Sequence, residues 1–448
     1  MKLSTIILAA GQGTRMNSTL PKVLHLLNGK PLVKYSIDLA AAAGSQRTVV
    51  VIGNGAEQVR NTVGDGVEFA IQQQRLGTAN AVEAAESLLT AEDGLVLVIS
   101  ADMPLLTAAT LIHLVQTQAD AGGPMTLLTV HSANPRGFGR IIRGLDGEVL
   151  GIVEEAQATA EQLMIDELNV GAYCFSSPWL WQALKKIDLS PKGEYYLTDI
   201  VAVAVAEGKK VLAVSVENED ETLGINNRVH LAEAERVIRR RINRAHMLAG
   251  VTMTDPDLVY IEETVRIGRD TVLLPNTWLT GKTAIGEGCE IGPGTIISDS
   301  SIGNHCHLLA SVIEGAEVED EVGMGPFCHL RKGAHLGRGV HMGNFGEVKD
   351  SYLAAGVKMG HFSYIGNATI GENVNIGAGT ITCNYDGVHK HPTEIGENTF
   401  IGSDTMLVAP LKIGKNAKTG AGAVVTHDVA DNEIVAGVPA KPMKKKKE

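Results

Sequence analysis

Between residues 261 and 425 the hydrophobic positions step neither by two nor by three and four. Aliphatic side chains recur at every sixth position, usually followed by glycine: Ile267, Leu273, Leu279, Ile285, Ile291 and Ile297, later Met359 and Ile365. After one five-residue step come Ile370 and Ile376, and then Ile395, Ile401, Leu407, Ile413, Thr419 and Val425. This period belongs to neither a helix nor a strand, so it marks an internal repeat. Three short strands per coil, each about one hexad long, would stack every inward aliphatic on its equivalents above and below, which predicts a parallel β-helix. The glycine after each aliphatic is expected to mark the corner and to take positive φ. A β-sandwich would show alternating strands with irregular spacing instead.

The residues ahead of the repeat follow a different pattern. An apolar run at 4–10 leads into Gly11-Gln12-Gly13-Thr14-Arg15-Met16, then Pro21-Lys22, a helical stretch near 31–43 and a strand at Arg47–Ile52. Strand, glycine loop, helix and strand open a doubly wound α/β domain, with a nucleotide site expected at the first turn. The loop is neither the dinucleotide fingerprint, since Met16 stands where the third glycine would, nor a P-loop. Its glycines would let amides approach phosphates, with Arg15 and Lys22 supplying charge.

A third apolar run, Leu95–Ser100, ends at Ala101-Asp102, where a carboxylate at the carboxyl edge of a parallel strand suits a hard cation. Asp102 is the candidate metal ligand, and Asn226 a second oxygen; the alternative for Asp102 is a cap for the helix beginning near Thr107. Gln72 and Leu76-Gly77-Thr78, ahead of a helix over 79–89, suit a base edge. Residues 229–250 read as one helix with an apolar stripe at Leu231, Ala234, Ile238, Ile242 and Ala245 and arginines opposite. The organisation expected is 1–228 α/β, 229–249 helical linker and 250–448 β-helix.

Composition narrows the chemistry. The 448 residues are 44% apolar and 20% charged, and the net charge of −12 argues against non-specific nucleic-acid binding. An anionic substrate must therefore be held by a few local cations and amides. Five cysteines without metal-ligand or redox spacing read as free thiols of a reducing cytosol. The first apolar run is too short for a membrane span and runs into the glycine loop, so no targeting segment or membrane insertion is expected. The Lys444 to Lys447 run reads as a solvated tail able to reach a phosphate. The largest break in the hexads, between Thr382 and Glu394, holds Cys383-Asn384-Tyr385-Asp386-Gly387 and reads as a loop ejected from the solenoid. Arg331 and Lys349 are candidate phosphate clamps, and His361, with Tyr364 three residues on, is a candidate base or plain surface.

Leu8-Ala9-Ala10-Gly11-Gln12-Gly13-Thr14-Arg15-Met16 with Pro21-Lys22 resembles the signature of the sugar-1-phosphate nucleotidyltransferases. Gly360-His361-Phe362-Ser363-Tyr364, Asn373-Val374-Asn375-Ile376-Gly377-Ala378 and Thr382-Cys383-Asn384-Tyr385-Asp386-Gly387 resemble hexapeptide-repeat acetyltransferases. Both halves, in this order, resemble the family that joins N-acetylglucosamine-1-phosphate uridylyltransferase to glucosamine-1-phosphate N-acetyltransferase.

The resemblance implies a Rossmann-like nucleotidyltransferase domain followed by a left-handed β-helix that forms homotrimers, with sites built from neighbouring subunits. It implies acetyl transfer from acetyl-CoA to glucosamine-1-phosphate, then uridylyl transfer from UTP with release of pyrophosphate. The product, UDP-N-acetylglucosamine, is a cell-wall precursor. His361 would be the base, Arg331, Lys349, Tyr364 and Asn375 would hold the amino sugar phosphate, and Ala378, Asn384, Tyr385, Ser403 and Ala421 would line acetyl-CoA. In the first half Arg15 and Lys22 would be catalytic, and Leu8, Ala9, Ala10, Gly11, Lys22, Gln72, Gly77, Thr78, Ala101 and Asp102 would hold the nucleotide. Gly139, Glu154 and Asn169 would contact the sugar, while Asp102 and Asn226 would hold Mg²⁺. Ser100-Ala101, Arg75, Val170, Gly346 and Lys332 depart from that pattern, as does the lack of an arginine after Val438, for which Lys441 or the terminal lysines are the candidate substitutes. The alternative is a sugar-1-phosphate nucleotidyltransferase whose β-helix is a non-catalytic scaffold.

Overall fold

A computed structural model describes residues 2–90 and 94–443 and divides the chain into two units, Met1–Ile238 and Arg239–Glu448. In the first, a nine-stranded sheet has the core order Leu212–Ser215, Met125–His131, Glu167–Ser176, Leu95–Ser100, Leu3–Leu8, Arg47–Ile52, Glu68–Ile71. Leu3–Leu8 is parallel to both neighbours, and Glu167–Ser176 is antiparallel to both of its own. The central strands read as continuous apolar runs because both faces are covered. Ile6, Val49, Val96 and Val98 pack on one side with Ala79, Val82 and Leu180, while Ile7, Val50, Leu97 and Ile99 pack on the other with Val33, Leu111 and Leu114.

Several boundaries differ from the sequence pattern. The strand Glu68–Ile71 is half exposed and too weakly patterned to stand out. The stretch 79–89 is two short helices, Thr78–Glu83 and Glu86–Leu89, broken at Ala84-Ala85. Thr107 caps the helix Ala108–Ala121 by accepting from Thr110 N at 3.2 Å, so the cap that was the alternative for Asp102 is made by another residue.

The helix Arg228–Leu248 carries its stripe differently from the pattern. Leu231, Ala234, Val237 and Ile238 pack with Leu27, Leu32 and Ile225 of the first unit, and Ile242 packs on the core of the second. Ala245, however, is exposed, and the buried neighbour is Asn243, whose Nδ2 donates to Pro256 O at 2.7 Å and Val259 O at 2.9 Å. A polar side chain with two carbonyl partners is cheap to bury, which hydrophobic periodicity does not register.

In the second unit the hexads form three parallel sheets, each chain turn contributing one strand to each. The aliphatics stack in register, for example Leu273 on Ile291 and Ile291 on Leu308, and Thr419 takes its turn inward with Oγ1 3.1 Å from Thr405 Oγ1. Ile267 alone of the named positions is only partly buried, on an early coil.

Of the glycines after the named aliphatics, Gly292 takes the expected positive φ of 104°, but most are not there for that. Gly268, Gly286, Gly377, Gly396, Gly402 and Gly414 have none, and the left-handed corner positions fall instead on asparagine and aspartate such as Asp270, Asn373, Asn398 and Asn416. The glycine requirement is contact between coils: a Cβ on Gly396 would lie 2.6 Å from Lys415 N and 2.8 Å from Gly414 C, both backbone. Gly396→Val should therefore destabilise the β-helix by about 3 kcal/mol or lower its melting temperature by about 6–12 °C. Gly360 has no positive φ, and a Cβ there would meet nothing within 4 Å, so it should accept alanine at unchanged stability. Thermal unfolding of the two variants checks this, and equal melting temperatures would remove the coil-contact explanation.

Candidate active sites

The first site forms where the order of the parallel strands reverses. Leu8 and Ser100 are paired in register, so the glycine loop and Asp102 leave the sheet side by side at its carboxyl edge. Ala9 N donates to Val51 O and Ala101 N to Leu8 O, both within 3.0 Å, which pins the two exits together. Gly13 has φ 62°, and a Cβ there would lie 2.6 Å from Lys22 Cβ, so this glycine admits the lysine against the loop.

Lys22 Nζ then reaches Asp102 Oδ2 at 2.5 Å and Asn226 Oδ1 at 3.4 Å, while Arg15 Nη2 donates to the same Asn226 oxygen at 2.9 Å. Ser100 Oγ donates to Asp102 Oδ1 at 2.6 Å. Asp102 and Asn226 thus converge on one ammonium group, two oxygen ligands within reach of a single cation. Among the described residues no group of three or more His, Cys, Asp or Glu is placed to hold a metal. This donor set fits a hard cation that draws its remaining ligands from phosphate and water.

A cavity of about 540 Å³ opens beside this cluster, lined by Leu8, Ala9, Ala10, Gly11, Lys22, Gln72, Gly77, Thr78 and Asp102 among others. Gln12, Arg75, Ser100, Glu194 and Tyr196 also line it. Desolvation first and the Glu194 carboxylate second raise the Tyr196 phenol above its usual range, keeping it a neutral donor. In the sequence, Glu194 and Tyr196 fall in the polar stretch Gly193-Glu194-Tyr195-Tyr196, which by itself marks only a turn. Their placement comes from Tyr195, whose N donates to Leu76 O at 2.6 Å and whose O accepts from Ala79 N at 3.0 Å.

The proposed sugar contacts lie outside that lining. Asn169 N donates to Gly139 O at 2.9 Å, which joins those two, and Glu154 Oε1 accepts from Thr198 Oγ1 at 2.9 Å. Asn169 is buried; its Nδ2 donates to Tyr173 Oη at 2.8 Å and its Oδ1 accepts from Gly171 N at 3.2 Å, across a bulge between Asn169 and Tyr173. Burial pushes the Tyr173 phenol well above its usual range, so it stays protonated. Ala101, expected to hold the nucleotide, is fully buried and is not among the residues that line the cavity.

In the second unit the relevant residues fall on a corner and the sheet that follows it. His361 stands two positions after inward Met359, and Ala378, Ser403 and Ala421 stand two after Ile376, Ile401 and Thr419. Paired in register, these make one ladder on consecutive coils, about 4.8 Å apart. Asp404 N donates to Ala378 O and Gly422 N to Ser403 O, tying the rungs. His361 Nδ1 lies 2.8 Å from Asn344 Oδ1 on the coil below. In the neutral imidazole, donation to that oxygen places the proton on Nδ1 and leaves the lone pair on Nε2.

Round the corner, Arg331 and Lys349 line a cavity of about 630 Å³ together with Lys332, Asp299, Glu314 and Asp350. Arg331 Nη1 is 3.1 Å from Glu347 Oε1, and Glu347 is paired with Tyr364. A Cβ on Gly366 would lie 2.4 Å from Tyr364 Oη and 2.9 Å from Asn384 Nδ2, so this glycine lets a hydroxyl and an amide converge beside Lys349, its register partner. Asn384 is buried, donating to Asn367 Oδ1 at 2.7 Å. The ejected loop is stapled by Asp386, which accepts from Val388 N and His389 N and pairs with His391, each at 2.7 Å. The His389 amide first, then His391, hold the Asp386 carboxyl far below the usual range. Tyr385 stays exposed on that loop, its hydroxyl donating to Gly387 O.

Asn375 is not brought to His361 within one chain. It pairs with Lys358 and Phe400 three positions before the corner, about 10 Å away along the strand. The Lys444 to Lys447 run lies outside the described residues; Lys441 pairs with Ala436 in the closing strand of the ladder's sheet. All five cysteines are free, four of them buried, and among the described residues no helix is long and apolar enough to cross a membrane.

A phosphate-ready cavity at the edge of an α/β sheet and an imidazole-bearing corner of a solenoid define a nucleotidyltransferase joined to a hexapeptide-repeat transferase. The nucleotidyl transferase family model matches residues 4–224, and the bacterial transferase hexapeptide (six repeats) model matches 392–427. The Bifunctional protein GlmU of Exiguobacterium sibiricum is 46% identical over 430 residues, covering 96% of each chain. That of Halalkalibacterium halodurans is 45% identical over 96% of this chain and 94% of its own, and that of Streptococcus agalactiae serotype V is 46% identical over the same shares. Among solved structures, one titled as UDP-glucose pyrophosphorylase complexed with UDP-glucose aligns at 18% identity with a TM-score of 0.46, over 54% of this chain and all of its own.

The chain belongs to the bifunctional GlmU family. Its fold is a Rossmann-like nucleotidyltransferase domain followed by a left-handed β-helix, and it is a bifunctional enzyme of UDP-N-acetylglucosamine synthesis, with uridylyltransferase and acetyltransferase activities. Nucleotidyl transfer in this family uses a divalent metal ion, and the substrates are small molecules.

Proposed function

We propose that residues 1–228 carry uridylyl transfer, 229–249 link, and 250–448 carry acetyl transfer, each with its own residues. The observation that carries the division is the pair of separate constellations: Lys22, Asp102 and Asn226 on one ammonium centre, and His361 with Asn344 at the foot of the Ala378, Ser403, Ala421 ladder.

In the acetyl-transfer unit, Arg331 and Lys349 hold the phosphate of glucosamine-1-phosphate, and Tyr364 and Asn375 orient the sugar, Asn375 coming from another copy in a homotrimer. Acetyl-CoA lies along Ala378, Ser403 and Ala421, with Asn384 and Tyr385 at its flank. His361 Nε2 takes a proton from the amine as its nitrogen bonds to the thioester carbon; the C–S bond then breaks, and the departing sulfur takes that proton from His361 and leaves as free CoA thiol.

In the uridylyl-transfer unit, Leu8, Ala9, Ala10 and Gly11 cradle the nucleotide phosphates with backbone amides, and Gln72, Gly77 and Thr78 take the base. Gly139, Glu154 and Asn169 contact N-acetylglucosamine-1-phosphate. The sugar phosphate oxygen attacks the α-phosphorus of UTP, the bond to the β-phosphate oxygen breaks, and pyrophosphate departs. Arg15 and Lys22 reduce the repulsion of two anions approaching each other. Mg²⁺, held by Asp102 and Asn226, supplies further neutralisation of phosphate charge when bound. Lys22 must swing from Asp102 toward phosphate for this. The free thiols and the small-molecule substrates suit the cytoplasm.

Assaying one preparation with acetyl-CoA and glucosamine-1-phosphate, and separately with UTP, N-acetylglucosamine-1-phosphate and Mg²⁺, reads both halves, as free thiol and as pyrophosphate. A chelator should remove pyrophosphate release and leave thiol release intact, with Mg²⁺ restoring the first. Loss of both together would overturn the division.

A further inference from the structure

One cation in the nucleotide cavity has no task in the account above. Arg75 lines it and is exposed, with no hydrogen-bond, ion-pair or ring partner among the described residues. Gln72, in the same lining, is buried, and its Nε2 is already spent on Gly77 O at 3.0 Å and Asn80 Oδ1 at 3.1 Å. Its free group is therefore the acceptor, Oε1. Gly77, at the N-terminus of the helix Thr78–Glu83, has φ 103°, and its N–H donates to no described residue, as helix geometry leaves first-turn amides unpaired. The cavity thus offers a base one acceptor, Oε1, accompanied by two sources of donors, Gly77 N–H and the Arg75 guanidinium.

We propose that this set reads the imide edge of a pyrimidine and that Arg75 donates to its 4-carbonyl, making Arg75 the residue by which this chain excludes cytidine nucleotides. The proposal rests on the uridylyl-transfer reading of the cavity. Uracil presents acceptor, donor, acceptor along that edge. Cytosine replaces the N–H by a lone pair, which meets Gln72 Oε1, and the carbonyl by an amine, which meets guanidinium N–H groups. Both meetings are donor to donor or acceptor to acceptor, and such mismatches discriminate far better than shape does. Arginine enforces the second one strictly, because it has five donors, no acceptor and does not deprotonate. An amide at this position would lack that strictness, since it can turn its oxygen toward an amine.

The test compares Arg75→Gln and Arg75→Met with the unaltered full chain, measuring pyrophosphate release from UTP and from CTP with N-acetylglucosamine-1-phosphate and Mg²⁺. Arg75→Gln should lower the UTP-to-CTP ratio of kcat/KM by about 10–100-fold, with CTP turnover gained as well as UTP turnover lost. Arg75→Met should raise KM for UTP with kcat retained. Thiol release by the same preparations measures how much enzyme is folded. Equal losses for both nucleotides would make Arg75 a phosphate clamp, and an unchanged ratio would remove it from recognition; either result overturns the proposal. If the unaltered chain itself shows no preference for UTP, the uridylyl reading fails instead.

Discussion

His361→Ala should slow thiol release from acetyl-CoA by about 10²–10⁴-fold while pyrophosphate release from UTP and added N-acetylglucosamine-1-phosphate continues. The first part follows from chemistry: an ammonium nitrogen has no lone pair, so a group at the reacting nitrogen must take its proton. The second follows from position, because His361 lies in the second unit and the Lys22 cluster in the first. Asn344 sharpens the expectation. Its Oδ1 holds the Nδ1 proton in place, so Asn344→Ala should lower kcat for acetyl transfer about tenfold by freeing the tautomer and the ring. A merely structural Asn344 would change stability and leave the pH profile of kcat unmoved; a positioning one shifts that profile. Thiol release that survives His361→Ala at full rate would show that the imidazole takes no part.

The acetyl-transfer constellation was legible in unequal measure. Ala378, Ser403 and Ala421 occupy one phase of the six-residue repeat, two positions after an inward side chain, and His361 shares that phase. Once the coil is known, the ladder can be counted from the sequence. Asn344 shares it too, two after Met342, but no motif beside it singles it out. What the repeat hid was the reason for its glycines. Close approach of stacked coils and a left-handed corner both select glycine, and only coordinates separate them: Gly396 touches backbone, while Asn398 takes the positive φ.

The α/β unit reversed that balance. Its phosphate loop, Lys22 and Asp102 stood at a strand end, where position predicts chemistry. Arg75, Glu194 and Tyr196 reach the same cavity through pairings such as Tyr195 with Leu76 and Ala79, separated by more than a hundred residues. No local pattern encodes a contact at that separation. The exposed Ala245 and buried Asn243 make the same point for the helix: hydrophobic phase predicts a face only where its neighbour is apolar.

Asp102→Asn should lower pyrophosphate release by about 10²–10³-fold and raise the Mg²⁺ concentration needed for half-maximal rate by at least about tenfold, with thiol release unaffected. The substitution keeps the side-chain shape and removes one negative charge, so it separates two roles proposed for the carboxylate. One is to partner Lys22, whose ammonium lies 2.5 Å from Oδ2. The other is to serve as an oxygen ligand beside Asn226 that would hold the cation while Lys22 turns to phosphate. If partnering Lys22 were its sole role, Asp102→Asn would free Lys22 for phosphate, and the KM for UTP would fall without any change in metal dependence. If it is also a ligand, the neutral amide binds the cation less well, and excess Mg²⁺ recovers part of the rate. The Mg²⁺ titration therefore decides between them: a half-saturation point that stays where it was leaves Asp102 as a salt-bridge partner alone, and the metal must then find its oxygens elsewhere.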